Sequence, residues 1–135
     1  MKLMKWYFIY TYPATYGGLH GMYDYDLVGC SDFQEACDVG HEMACETVER
    51  YLRADEILSQ EEFMDLYCES EEWDDKYETE YWDAVAEAIE DEACFDIYLL
   101  DDEYTYEDYL NWQKKNLEPE DFIKRYCRQI TQIDI

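Results

Sequence analysis

LMKWYFIYTY, residues 3–12, is the stretch that decides how this chain folds. Trp6, Phe8, Tyr10 and Tyr12 fall on one side of a period-two alternation, and Tyr7, Ile9 and Thr11 on the other. That pattern predicts a strand. Pro13 and the Gly17-Gly18 pair break it. Over residues 22–28 the alternation returns, with Tyr23, Tyr25 and Leu27 opposing Met22, Asp24, Asp26 and Val28. A long-looped β-hairpin is the simplest connection.

Beyond residue 30 the period changes to that of a helix. Ser31 with Gln34 predicts a capping box and a helix over 32–53. Its apolar stripe is Phe33, Ala36, Cys37, Gly40, Ala44, Val48, Tyr51 and Leu52. Ser59 with Glu62 repeats the signature and opens a short helix to 68. Ser70 caps the next, where Trp73, Tyr77, Tyr81, Val85, Ala88 and Ile89 share a face as far as Cys94. Phe95 to Leu100 reads as a third strand, and Thr105 caps a helix through Trp112. Pro119, at a first-turn position, starts a last helix through Arg128, and residues 130–135 form a short fourth strand. The expectation is a single α+β domain over residues 1–135. Its small, mostly antiparallel sheet joins the N-terminal hairpin to one or two late strands and packs with several amphipathic acidic helices.

The 35 Asp and Glu against 10 Lys and Arg give a formal charge of -25. Such repulsion favours disorder where apolar surface is scarce. Here hydrophobic residues make up 48% of the chain and aromatics 18%, so a core is expected. No stretch approaches the ~18 apolar residues of a membrane span. Lys2 and Lys5 precede a Tyr-rich run without a small-residue cleavage site, so the expectation is a cytoplasmic protein. Cys30, Cys37, Cys45, Cys68, Cys94 and Cys127 form no CxxC pair and are expected to be reduced core thiols.

The charge is unevenly spread. Residues 55–109 hold 23 of the 35 acids and one basic residue, Lys76. Glu-Lys pairs at i,i+4, the usual use of charge on a helix surface, are almost absent there. The candidate partner-binding residues are Glu69, Glu71, Glu72, Asp74, Asp75, Glu78, Glu80, Asp83, Glu87, Glu90, Asp91, Asp101, Asp102 and Glu103. Over 70–93, Asp74, Glu78, Glu71 and Asp75 are placed opposite or beside the Tyr77, Tyr81, Val85 stripe. Unpaired like charges cost stability, and steering towards a basic protein is a coherent reason to keep them. Trp73, Tyr77, Tyr81, Trp82, Tyr104, Tyr106 and Tyr109 are interleaved among the acids, where an exposed ring can stack on a partner's Arg. Acidity that serves solubility alone is the competing explanation.

Chemistry-bearing motifs are sparse. Cys37, His41 and Cys45 are spaced four apart, so adjacent pairs are able to chelate zinc, yet nothing fixes a fourth ligand and no metal or other cofactor is expected. Asp24-Tyr25-Asp26 and Asp101-Asp102-Glu103 lack EF-hand spacing. There is no Walker loop, GxGxxG or GxSxG. A non-enzymatic protein is expected, and the charge disfavours direct nucleic-acid binding. The basic cluster Lys114, Lys115, Lys124, Arg125 and Arg128 pairs with the protein's own acids or with a second copy in a homodimer.

Tyr10-Thr11-Tyr12, Tyr16-Gly17-Gly18-Leu19-His20-Gly21, Asp26-Leu27 and Phe33-Gln34-Glu35-Ala36 resemble the opening of ArdA-type antirestriction proteins. Those begin with a similar strand, Gly-containing loop, second strand and acidic helix. The likeness covers about a quarter of the chain. In size, acidity and Tyr content the chain is similar to phage-encoded DNA mimics, including many anti-CRISPR inhibitors. No family residue is carried over. The resemblance implies an inhibitor occupying the nucleic-acid channel of a CRISPR effector or restriction enzyme. A regulatory module that binds through the aromatic hairpin, at Trp6 or Tyr23, is the alternative.

Overall fold

The computed structural model of the chain describes residues 4–15, 21–68, 72–115 and 118–135. β1 (Lys5–Pro13) and β2 (Asp24–Cys30) are the predicted antiparallel pair, with Tyr10 opposite Tyr25 and Phe8 opposite Leu27. β3 (Ala93–Leu100) adds to the other edge of β1, also antiparallel, with Tyr10 opposite Asp96. β4 (Cys127–Arg128) completes the order β2-β1-β3-β4. β1 is therefore a central strand, which explains why both of its faces are aromatic or aliphatic rather than half polar.

The period-two faces divide the core. On one, Phe8, Leu27 and Leu100 meet Tyr109 and Trp112 of α5 (Tyr106–Gln113) and Phe122 of α6 (Pro119–Tyr126). Phe8 lies at centroid distances of 4.9 Å from Phe122 and 6.4 Å from Trp112. On the other, Tyr7, Ile9 and Leu99 pack on α1 (Phe33–Tyr51) through Ala36 and its neighbours. A third cluster lies off the sheet. There α2 (Ala54–Ile57), α3 (Gln60–Tyr67) and α4 (Glu78–Glu92) enclose Leu58, Phe63, Met64, Tyr81 and Val85. The Tyr81 hydroxyl donates to the Leu58 carbonyl at 2.8 Å, so its polar tip is satisfied inside that cluster.

Polar groups tie α1 to the hairpin. The Thr47 hydroxyl donates to Asp24 Oδ2 at 2.8 Å and lies 2.6 Å from that of Thr11, with both threonines buried. Asp24 also takes an ion pair from Arg50 at 2.8 Å.

The α+β expectation holds, with local corrections. α1 is capped by Asp32, which accepts from the Glu35 amide, while Glu35 reaches back to Ser31. The box therefore sits one residue later than the Ser31-Gln34 reading. Tyr51 is exposed rather than part of the buried stripe, and Leu52 is buried just past the helix. The Ser59-Glu62 and Thr105-Asp108 boxes form, whereas Ser70 lies outside the described residues. The helix expected from 70 begins at Glu78. Asp74 accepts from the Lys76 amide and holds Asp75–Tyr77 in a 3₁₀ turn, a local bond that competes with the α-helix. The late strand is Cys127–Arg128, not 130–135. Arg128 grips both carboxylate oxygens of Asp134 at 2.8 and 2.9 Å, and Thr131 caps Gln132–Asp134 as a 3₁₀ turn. That grip curls the segment away from the sheet.

Gly40 marks the closest approach of α1 to the sheet. A Cβ there would meet Phe95 Cδ2 at 2.7 Å. An exposed helical Gly→Ala change gains roughly 1 kcal/mol, but overpacking costs about 1–3 kcal/mol. Gly40→Ala is thus expected to lower the urea midpoint, and Gly40→Ala with Phe95→Leu to recover it, as read by chemical denaturation.

Candidate acidic interface

α4 reads ETEYWDAVAEAIEDE over Glu78–Glu92. At 100° per residue, Tyr81, Val85 and Ala88 point one way into the third cluster. Glu80, Asp83, Glu87, Glu90 and Asp91 then occupy an arc of about 100° centred on the opposite side. All five are exposed. Among the described residues, the ion pairs are Arg50–Asp24, Arg53 with Asp55 and Glu56, and Arg128–Asp134. No α4 carboxylate takes part in one of them. Lys76, the one base of residues 55–109, lies over the Tyr77 ring at 5.2 Å.

The placement of these acids opposes helix stability twice. Glu80–Asp83, Asp83–Glu87, Glu87–Glu90 and Glu87–Asp91 are like-charge neighbours at i,i+3 or i,i+4, each costing ~0.2–0.5 kcal/mol. The last turn holds Glu90, Asp91 and Glu92 with no basic residue, against the negative end of the helix dipole. Glu92 alone among the three is bound locally, accepting from the Thr15 amide at 3.0 Å and from the Thr15 hydroxyl.

The sequence reading missed a second row of acids. Asp38, Glu42, Glu46 and Glu49 of α1 are exposed and share an arc of about 80°. α1 packs on α4, and Glu90 and Glu49 both act on Cys45, adding to the burial that raises its thiol pKa. The signal was present as acids at four-residue spacing, but it lay outside the base-free segment. Between the two helices runs a groove of about 370 Å³ that includes Glu49, Leu52, Ile57, Trp82 and Ile89. Trp82 is 51% exposed, whereas Tyr81 and Tyr109 are buried and Trp73, Tyr77 and Tyr104 are half-buried. Tyr106 is exposed like Trp82, so two of the seven interleaved rings are core, three line its margin and two face solvent.

The other predicted residues are dispersed. Glu69 and Glu71 lie outside the described residues. Glu72, Asp74 and Asp75 are exposed before α4, and Asp74 is committed to its cap. The helix expected over 70–93, which set Asp74, Asp75 and Glu78 opposite or beside the apolar stripe, is replaced by a shorter one. Counted from the true start, Glu78 shares its azimuth with the Val85–Ile89 side, though it is exposed in the first turn. Asp101, Asp102 and Glu103 follow β3, roughly 25 Å of strand away from the end of α4. Asp101 and Asp102 line a cavity with Lys5 and Arg128, so they sit near the protein's own cations.

Among the described residues, no group of three or more His, Cys, Asp or Glu is arranged to hold a metal. His41 Nε2 lies 3.9 Å from Cys45 Sγ. Nor is any helix of the described residues long and apolar enough to cross a membrane. Comparison with protein-family models, curated proteins and solved structures finds no match to this chain.

Cysteine chemistry runs against nucleophilic activation. Burial raises the pKa of Cys30, Cys37, Cys45 and Cys94, and pushes Cys127 up to about 12 with help from Asp101. A reactive thiol needs the opposite shift. At pH 8, iodoacetamide is expected to alkylate Cys127 far more slowly in the native protein than in guanidinium, as read by peptide mass spectrometry.

Proposed function

We propose that the protein binds the basic, nucleic-acid-binding surface of another protein through the acid rows of α4 and α1, in place of a nucleic acid. The observation that carries this reading is the α4 arc of Glu80, Asp83, Glu87, Glu90 and Asp91, exposed and outside every ion pair of the described residues. Carboxylates four residues apart repeat every ~6 Å along a helix, the same order as phosphates along a strand. A partner's Lys and Arg would meet them as they meet a backbone. Two of the five, Glu90 and Asp91, lie in the last turn, where the helix dipole opposes them and acidity for solubility alone has no reason to sit. The character shared with phage DNA mimics makes a CRISPR effector or restriction enzyme the proposed target, and competitive inhibition the mechanism.

An aromatic hairpin docking through Trp6, with acidity serving solubility alone, fits less well. Trp6 packs on Tyr106 at 4.9 Å, so that ring is already partnered at home.

The test is capture from lysate on the immobilised protein, eluted along a salt ladder. Nucleic-acid-binding proteins are expected to elute below about 0.5 M NaCl, where the screening length falls under ~5 Å. Duplex DNA or structured RNA should displace them. Asp83→Lys, Glu87→Lys and Glu90→Lys together should cut capture at least about a hundredfold, on the order of 1 kcal/mol per contact, with far-UV CD unchanged. Retention by the triple variant would overturn the reading.

A further inference from the structure

On the α5–α6 side of the sheet lies a second site that the acid count overlooks. Tyr10 of β1, Tyr98 of β3 and Tyr23 just before β2 wall a cavity of about 450 Å³. Asp96, Glu118 and Glu120 stand around it, and among the described residues no Lys or Arg lines it. The geometry follows from the strand register. Tyr10 is opposite Asp96 on β3, and Tyr98 lies two residues further along the same face. Tyr23 packs on Tyr10 at 5.3 Å with a 30° tilt, and its hydroxyl reaches Glu118 Oε2 at 3.5 Å. Ile123 of α6 closes the apolar side.

We propose that this pocket receives the guanidinium of an arginine side chain. The rings make the selection. Carboxylates alone would hold any counter-ion, but a Tyr face within ~6 Å favours a flat, weakly hydrated cation over sodium. Three carboxylates at the rim accept the guanidinium's N–H fork. A compact ammonium gains less from both features. All three tyrosines are half-buried, so the cation leaves water on entry, and both contacts strengthen in the drier setting. Burial, with Tyr23 and Glu120 nearby, raises the pKa of Tyr10 to about 12. Where that arginine belongs to the partner of the acid rows, the assignment rests on the proposed function and gives the partner a fixed point of attachment.

The experiment titrates N-acetyl-L-arginine amide into the whole protein in 150 mM NaCl, followed by amide and tyrosine-ring NMR. Expected are saturable shifts confined to Tyr10, Tyr23, Tyr98, Asp96 and Ile123. Tyr98→Leu should weaken binding about tenfold, the value of one desolvated cation–π contact, and Tyr98→Phe should retain it. Asp96→Asn should also weaken it, while Asp83→Lys with Glu87→Lys on α4 should leave it unchanged. Shifts spread over the acids of α4 and α1, or a wild-type titration by Tyr98→Leu, would overturn the assignment. Spermidine or N-acetyl-L-lysine amide binding as tightly as the arginine amide would overturn the guanidinium choice. The two readings fail separately: a silent pocket with α4-dependent capture removes only this one, and the reverse removes only the mimic.

Discussion

β1 must be buried on both faces for this chain to have a structure at all. Tyr7, Phe8 and Ile9 are consecutive and each is fully buried, so neighbouring side chains enter different cores from one strand. Burial of each large side chain contributes roughly 1.5–3 kcal/mol, and close ring pairs such as Phe8–Phe122 add about 0.5–1.5 kcal/mol. α1 covers one face and α5 with α6 the other, so Tyr7 and Ile9 are buried on the first side and Phe8 on the second. A charge of -25 is tolerated because repulsion acts between exposed carboxylates across water, where it is screened, while the aromatic contacts act where it is dry.

That division of labour also explains where the acids are. The sheet and its two coverings leave α2, α3 and α4 to build a separate cluster, held by Tyr81, Phe63 and Val85. α4 needs only one narrow apolar stripe to stay attached. Its remaining surface is free to carry charge that no structural demand requires, and the dipole argument says that charge is kept at a cost.

What the residues disclosed in advance, and what they withheld, follows from the range of the interactions involved. The alternation over residues 3–12 was legible because a central strand writes its burial into every residue. The Ser59-Glu62 box and the Thr105 cap were legible because capping is a contact between near neighbours. The start of α4 was misread because Asp74 can cap either a 3₁₀ turn or an α-helix, and Trp73 keeps its place in the cluster from outside the helix, 5.5 Å from Tyr81. The fourth strand was misplaced because Arg128 and Asp134 look like any charged pair until they meet. At the site, exposure of the α4 acids was inferable from the helical period. The α1 row, and the separation of Asp101 to Glu103 from it, depended on how α1 and β3 pack. No local pattern encodes that.

The tyrosine pocket was invisible for the same reason, since its walls come from β1, β3 and the approach to β2, and Glu118 and Glu120 from the start of α6. Its position bears on what the acid rows can do. A field of exposed carboxylates draws a basic surface in, but over ~8 Å of screening it fixes neither register nor orientation. Sliding a lattice of partner cations by one helical turn along α4 changes the energy little, because Asp83 and Glu87 present nearly the same charge one turn apart. A pocket that accepts one planar cation in one orientation breaks that degeneracy. Long-range attraction and short-range registration therefore need different physical means, and this fold carries a candidate for each on different elements.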